Sequence, residues 1–351
     1  MGGGGWDVGS YTRSTAAKKA AGKSTFDYDD QIKAGTATAV NPLLDPVQKA
    51  GAASPFAGTV MREVCVTDEH PDPTAMLIWL DVTGSNYGAA KVVHSKLPKL
   101  QAYLQEGNFC NDPQINVSAV GDANSDEYPL QFGQFESDNR LDAQIEAMIL
   151  EGGGGGQMCE TYELGAYMGA RHVHLESYEL YGKKGFMFFI GDEMPYDTVK
   201  NDYKRGRWSG AAHTLESLTG DKLAEPLSTK ALFDELKQRW HVFFLFQKQG
   251  AYAARDVVPA WERVLGAENV VELDDPAEVV EVIAALVARF EAGLDGTATA
   301  DAMLKAGGNR KAVASAVKAL AKYDPATGGV VGRVAKTTGT IDTSGGGADR
   351  L

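Results

Sequence analysis

At 351 residues the chain is long enough for one large domain or two small ones, either with an ample core. The composition is 44% hydrophobic and 23% charged, and no apolar stretch is long enough to span a bilayer. The net charge of −13 is uneven: residues 1–60 carry +1, residues 296–351 carry +4, and the middle therefore holds −18. An acidic body argues against nucleic acid or an anionic membrane as the main partner.

Residues 1–60 are rich in Gly, Ala, Ser, Thr and Lys with little periodicity, and read as a low-complexity N-terminal arm rather than a domain. The leader "MGGGGWDVGSYTRS" has no charged-then-apolar secretory pattern, and Trp6 stands where an N-myristoylation motif needs Ser or Thr. "AKKAAGKST" ends like a nucleotide-binding loop, but Ala17 takes the place of the required Gly and no apolar strand precedes it. Cys65, Cys110 and Cys159 are odd in number and in no paired spacing. They predict free thiols in a reducing compartment, hence a cytoplasmic protein without a disulfide or zinc framework.

From residue 61 apolar runs alternate with amphipathic segments. "MREVCVTD" is predicted as an edge strand, and "AMLIWLD" (75–81) as a strand buried on both faces. A helix follows, with Val93, Leu97, Leu100 and Leu104 on one stripe and a bend expected at Pro98. "INVSAVGD" (115–122) reads as the next strand, "YPLQFGQF" as an edge strand, and "RLDAQIEAMIL" as a helix ending at "EGGGGG". A single helix is predicted through "ETYELGAYMGARHVHLESYEL", then the strand "GFMFFIGDE" and a polar insertion near 195–225. Within it, "NDYKRGRWSG" (201–210) is a basic loop in an acidic body and reads as an exposed insertion.

The helix "KALFDELKQRW", strand "HVFFLFQ", helix "ARDVVPAWERVLG", strand "NVVELDD" and helix "PAEVVEVIAALVARFEAGL" complete the series. Such alternation predicts an α/β domain over 61–293: a doubly wound, mainly parallel sheet with helices on both faces. A helical pair over 294–322 reads as a small appendage packed on that domain, and 323–351 as a flexible Gly/Thr/Ser tail. Trp79, Trp240 and Trp261 lie in or beside apolar elements and are assigned to the core.

Function turns on "IWLDVTGSN" (78–86). Ligands bind beyond the carboxyl ends of parallel strands, where strand order reverses. Asp81 ends one such strand and Asp192 follows another, so two aspartates 111 positions apart are expected to meet. In D-V-T-G-S, Asp81, Thr83 and Ser85 can aim hard oxygen ligands at one point, with Gly84 permitting the turn. Such ligands suit Mg²⁺ in octahedral geometry at about 2.1 Å, or Mn²⁺ or Ca²⁺. The loop "EGGGGGQMCETYE" would add Thr161 or Glu160, and Asp192 would support the coordinated waters.

Two competing readings use the same residues. D-V-T-G-S resembles the phosphorylated motif D-K-T-G-T of P-type ATPases, relatives of the haloacid dehalogenase phosphatases, which would make Asp81 a nucleophile in a Mg²⁺-dependent phosphatase. "GDEMPYD", with Asp192 and Asp197, fits the acidic motif of that class. Thr83, however, stands where most such enzymes carry a second aspartate, and Lys183 and Lys184 lie at the wrong end of their strand. A phosphate cradle is weaker still, since "TGSNYG" has neither the dinucleotide fingerprint nor the Walker lysine.

Taken with the order of these motifs, 61–293 resembles a von Willebrand factor type A (vWA) domain with its metal-ion-dependent adhesion site (MIDAS). "DVTGS" stands for the Asp-x-Ser-x-Ser motif, "GGGGGQMCET" for the loop bearing a Thr, and "FFIGD" for the strand ending in Asp. The Thr in place of the first Ser is closer to intracellular prokaryotic-type members. The resemblance implies an interaction module rather than an enzyme: a metal-dependent scaffold or adaptor whose Mg²⁺ is completed by an Asp or Glu of a protein partner. It also points to an AAA+ ATPase or stress-response assembly as partner. The hydroxyl of the second loop is not fixed by spacing, so Thr161 and Glu160 both stay open.

Overall fold

The computed structural model describes residues 5–84, 86, 88–152, 156, 158–205, 210, 212–321 and 323. The uninterrupted apolar runs of the sequence become the strands of one sheet: β1 (Thr74–Asp81), β2 (Pro113–Val120), β3 (Leu130–Gln131), β4 (Gly185–Gly191), β5 (Trp240–Gln247) and β6 (Val270–Leu273). Their order is β6-β5-β4-β1-β2-β3, parallel throughout except for β3, which runs antiparallel to β2 at the edge. This is the 3-2-1-4-5-6 order of a doubly wound α/β fold, and the order reverses between β1 and β4. The expected fold class is therefore the one observed.

Every residue of β1 is buried, because both faces of the sheet are covered. Met76, Ile78 and Leu80 point into one core, while Ala75, Leu77 and Trp79 point into the other. The first face is covered by α3 (Ala89–Gln105), whose stripe Val93, Leu97, Leu100 and Leu104 is fully buried and whose helix continues through Pro98. The second face takes α5 (Tyr162–Arg171), α6 (Thr229–Arg239) and α7 (Ala254–Leu265). Trp79, Trp240 and Trp261 are in that core, each no more than 1% exposed. The strongly apolar α8 (Val279–Phe290) returns to the first face. There α9 (Gly296–Lys305) and α10 (Arg310–Leu320) pack on it through Met303, Val313, Ala316 and Leu320, so the helical pair shares the sheet domain's core. Of the expected tail only Tyr323 lies within the described residues, and it is buried.

Three elements differ from the sequence expectation. The stretch expected as an arm carries α1 (Val8–Ala20) and α2 (Asp27–Lys33), and Trp6, Phe26 and Leu44 enter the first core. Isolated anchors do this without any apolar periodicity. The Trp6 indole donates to Asp142 Oδ1 at 2.9 Å, Lys18 pairs with Glu146 at 2.7 Å, and buried Asp29 accepts from the Leu150 amide at 3.0 Å. Asp142 and Glu146 belong to α4 (Arg140–Glu146), which ends before the glycine run as irregular backbone rather than reaching it.

The second difference is at "MREVCVTD". Arg62–Val64 pairs in parallel with Val173–Leu175 in a separate two-stranded ribbon, because β3 already occupies the edge of the main sheet. That ribbon also explains the third: the predicted long helix breaks after Arg171 for Val173–Leu175 before a short helix, Glu176–Tyr181, closes on Gly182 at φ +68°. Among the described residues no helix is long and apolar enough to cross a membrane.

Candidate metal centre

Leu80 pairs with Ile190 across β1 and β4, so Asp81 and Asp192 leave adjacent strands at the switch point. Both are fully buried. A short acid–turn motif shapes the first loop: Asp81 Oδ1 accepts from the Thr83 amide at 2.9 Å and from Thr83 Oγ1 at 2.6 Å, an aspartate holding the backbone two residues on. Its other oxygen accepts from Asn86 Nδ2 at 3.0 Å and from the Tyr162 hydroxyl at 2.9 Å. Asn86 Nδ2 also donates to Asp192 Oδ1 and so bridges the two aspartates, while the Ala251 amide donates to Asp192 Oδ2. Ser85, the third expected ligand of the first loop, lies outside the described residues.

The second loop divides its two candidates. Thr161 Oγ1 donates to the Gly121 carbonyl at 2.6 Å and accepts from the Ala123 amide at 3.2 Å, fastening the end of β2 to the start of α5. The hydroxyl that reaches Asp81 belongs to its neighbour, Tyr162. Glu160 faces Glu193, and each leaves its Oε2 buried without a hydrogen-bond partner among the described residues. Asn86 Oδ1 is orphaned in the same way. Asn86, Tyr162 and Glu193 each sit directly after a residue singled out from the sequence. Adjacency was their only signal, and it does not say which way a side chain turns.

Electrostatically the buried carboxyls of the site raise one another. Burial, against the hydrogen bonds of Thr83 and with Asp192 close by, pushes the Asp81 carboxyl up to about 6. Burial pushes Glu193 up to about 8 and Glu160 well above the ordinary carboxylate range, each raised further by Asp81. Among the described residues no lysine or arginine pairs with Asp81, Glu160 or Glu193. Buried carboxyls with orphaned oxygens beside threonine and tyrosine hydroxyls are the donor chemistry of a hard divalent cation. Among the described residues no group of three or more His, Cys, Asp and Glu is arranged as an ion cage. A cation here would therefore rest on Asp81 with neutral oxygens, and the residues present fit that arrangement.

Among the described residues the phosphatase alternative finds no lysine paired with Asp81. Lys183 pairs with Asp72 and Glu291, both at 2.7 Å, and Lys184 donates to the Lys237 carbonyl at 2.8 Å, before β4 begins and at the far end of the sheet.

Gly191 matters for close approach. A Cβ there would press on the Tyr162 hydroxyl and lie 3.1 Å from Asp81 Oδ2. Gly191→Ala is expected to displace Tyr162 and lower stability by about 1–3 kcal/mol, as overpacking does. Denaturant unfolding measures this, and a loss below the error of the method would mean that Tyr162 is not held against the strand.

No protein-family model matches the chain, and no curated protein matches it. Among solved structures it is similar to the pilus adhesin SpaC of Lactobacillus rhamnosus GG, at 12% identity and a TM-score of 0.43 over 62% of this chain and 30% of that one. Proximal thread matrix protein 1 of the mussel byssus aligns at 9% identity and 0.38, over 62% of this chain and 45% of that one. A von Willebrand factor type A protein from Catenulispora acidiphila aligns at 13% identity and 0.35, over 62% of this chain and 42% of that one. The chain thus spans less than half the length of each of these proteins, and its fold assignment rests on its own strand order.

Proposed function

We propose that the chain is an intracellular, vWA-type interaction module that recognises a protein partner through a divalent cation, Mg²⁺ first, with Mn²⁺ or Ca²⁺ as alternatives. The observation that supports this reading best is the buried pair Asp81 and Asp192 at the switch point, joined by Asn86. Asp81 and Thr83 would hold the ion with Ser85 of the same motif. Glu160 is the better candidate from the second loop, since the Thr161 hydroxyl is committed to the Gly121 carbonyl. Asp192 supports from behind. Bound there, a cation held by Asp81, hydroxyl oxygens and Glu160 keeps a position open to an Asp or Glu of a scaffold partner, for which an AAA+ ATPase or stress-response assembly in the cytoplasm is the working candidate.

The test compares proteins retained by wild type in Mg²⁺, by wild type in EDTA and by Asp81→Ala in Mg²⁺. A partner retained only in the first sample is the expected result. The same partners in all three would sink the reading.

A further inference from the structure

At the amino ends of the strands, opposite the metal centre, three residues from three loops converge. Thr74 pairs with Pro113 where β1 and β2 begin, so the loops that enter the two strands lie side by side. They carry His70 and Asp112. Glu136 exchanges amide–carbonyl bonds of 2.9 and 3.0 Å with Ile115, which brings Ser137 to the same place. There the Ser137 hydroxyl lies 3.2 Å from His70 Nε2, and His70 Nδ1 lies 3.5 Å from Asp112 Oδ1. A hydroxyl and a carboxylate met through opposite nitrogens of one imidazole is the arrangement that makes a serine nucleophilic.

Base and acid are held from behind. The His70 amide donates to the Thr67 carbonyl at 3.1 Å and to Thr67 Oγ1 at 3.0 Å. Asp112 Oδ2 accepts from the Asp72 amide at 3.3 Å, which leaves Oδ1 toward the imidazole. His70 Nδ1 is buried with no hydrogen-bond partner among the described residues, and the carboxylate beside it favours a proton there. Nε2 then presents its lone pair to Ser137. All three residues line a cavity of about 440 Å³. The two non-glycine residues held at positive φ among the described residues, Asn108 at +55° and Asp112 at +36°, line it too. Backbone kept in that sparsely populated region gathers at functional sites. The lining has amides and prolines but no aromatic or branched aliphatic side chain, so it suits a short acyl group rather than a fatty one.

We propose that Ser137, His70 and Asp112 form an acyl-transfer site for short-chain esters, independent of the metal centre. The Ser137 oxygen bonds to the ester carbonyl carbon as its proton passes to His70 Nε2. The bond from that carbon to the alcohol oxygen breaks, and the alcohol leaves with the proton. Water then attacks the acyl-serine through the same base, releasing the carboxylic acid and returning the proton to Ser137. The Asp138 amide, next in the chain and without a hydrogen-bond partner among the described residues, is a donor for the carbonyl oxygen as it gains charge.

The probe is a fluorophosphonate, which loses fluoride to an activated serine and stays attached through phosphorus. It is incubated with the full chain in EDTA, so that the outcome does not depend on the metal reading. Intact mass follows attachment and peptide digestion maps it. Attachment at Ser137 is expected in the folded protein and not in urea. Ser137→Ala should abolish it. His70→Gln and Asp112→Asn keep the serine and should slow attachment at least about tenfold, with thermal unfolding midpoints showing that they are folded. The chain should also hydrolyse p-nitrophenyl acetate at least about tenfold faster than p-nitrophenyl decanoate.

No attachment at Ser137 of the folded wild type overturns the site. So does attachment to His70→Gln within about twofold of the wild-type rate, which marks a serine that is accessible but not activated. Acetate-ester hydrolysis that continues at the wild-type rate in Ser137→Ala belongs to another nucleophile and overturns it as well. A preference for the decanoate that disappears in Ser137→Ala would uphold the nucleophile and overturn the short-acyl assignment.

Discussion

In EDTA, the stability of the protein is expected to fall as pH rises from about 5 to about 8, and Mg²⁺ is expected to reverse the fall. Asp81 is raised from its usual 3.8 to about 6 in the folded state, and Glu193 from 4.5 to about 8, both chiefly by burial. A group raised on folding contributes stability that is fully present below its unfolded value and is lost as pH passes through its folded value. For Asp81 alone the loss is on the order of 3 kcal/mol, since one pKa unit is worth about 1.4 kcal/mol. A cation at a hundredfold excess over its Kd would restore about 2.7 kcal/mol.

Asp81→Asn separates the parts of this argument. It removes the buried charge while keeping a side chain of the same shape. In EDTA it should therefore lose the part of the pH dependence that Asp81 contributes, and it should be insensitive to Mg²⁺. Thermal unfolding of both proteins across pH, with and without the metal, measures all of this. A flat pH profile in EDTA, or an equal response of Asp81→Asn to Mg²⁺, would falsify the assignment of Asp81 as an ionised ligand.

The two aspartates were legible because each ends an uninterrupted apolar run, and in a parallel sheet every such run delivers its last residue to the same end. Nothing in the 110 positions between them needs to be known for that. Thr83 was legible for a local reason, since an acid and a hydroxyl two residues apart meet in a tight turn. The second loop was not. Whether Thr161 or Tyr162 turns toward Asp81 depends on how α5 is rotated against β2, and that rotation is fixed by the bond of the Thr161 hydroxyl to the Gly121 carbonyl, 40 residues away. The facing of Glu160 and Glu193 likewise joins two loops whose register no spacing encodes.

The same division runs through the fold. Strands and amphipathic helices announce themselves by period, and all six strands of the sheet were placed from it. The first 60 residues have no period, and they attach through single side chains at long range. Trp6 reaches Asp142 across 136 positions, and Asp29 reaches the Leu150 amide across 121. Contacts of that kind leave no trace in a local pattern. They also bring the N-terminal segment against the chain just before the glycine run.

Arg62 concentrates this long-range attachment in one side chain, and replacing it by Met is expected to cost about 3–5 kcal/mol. The guanidinium is fully buried over the Phe132 ring, at 4.9 Å from its centroid, and burial brings it down to about 10, so it remains charged at neutral pH. Its partners are all backbone carbonyls: Gly133 at 3.0 Å, Phe132 at 3.0 Å, Asp45 at 2.8 Å, Gln48 at 2.9 Å and Met61 at 3.3 Å. A buried ion pair can be exchanged for apolar groups when both partners are removed together. Carbonyls cannot be removed, and each one left unmet costs about 1–3 kcal/mol.

Lys in its place has one ammonium where Arg has a planar fork, so it cannot serve Gly133 and Phe132 on the sheet edge together with Asp45 and Gln48 on the N-terminal segment. Arg62→Lys should therefore recover less than half of the loss. Denaturant unfolding gives both values, and hydrogen exchange locates them. The Ala50 and Gly58 amides, bonded to the Thr59 and Ala50 carbonyls at 2.8 and 3.0 Å, should exchange faster in both variants. If the Met variant unfolded within about 1 kcal/mol of wild type, the N-terminal segment would have to be held by Trp6, Lys18 and Asp29 alone.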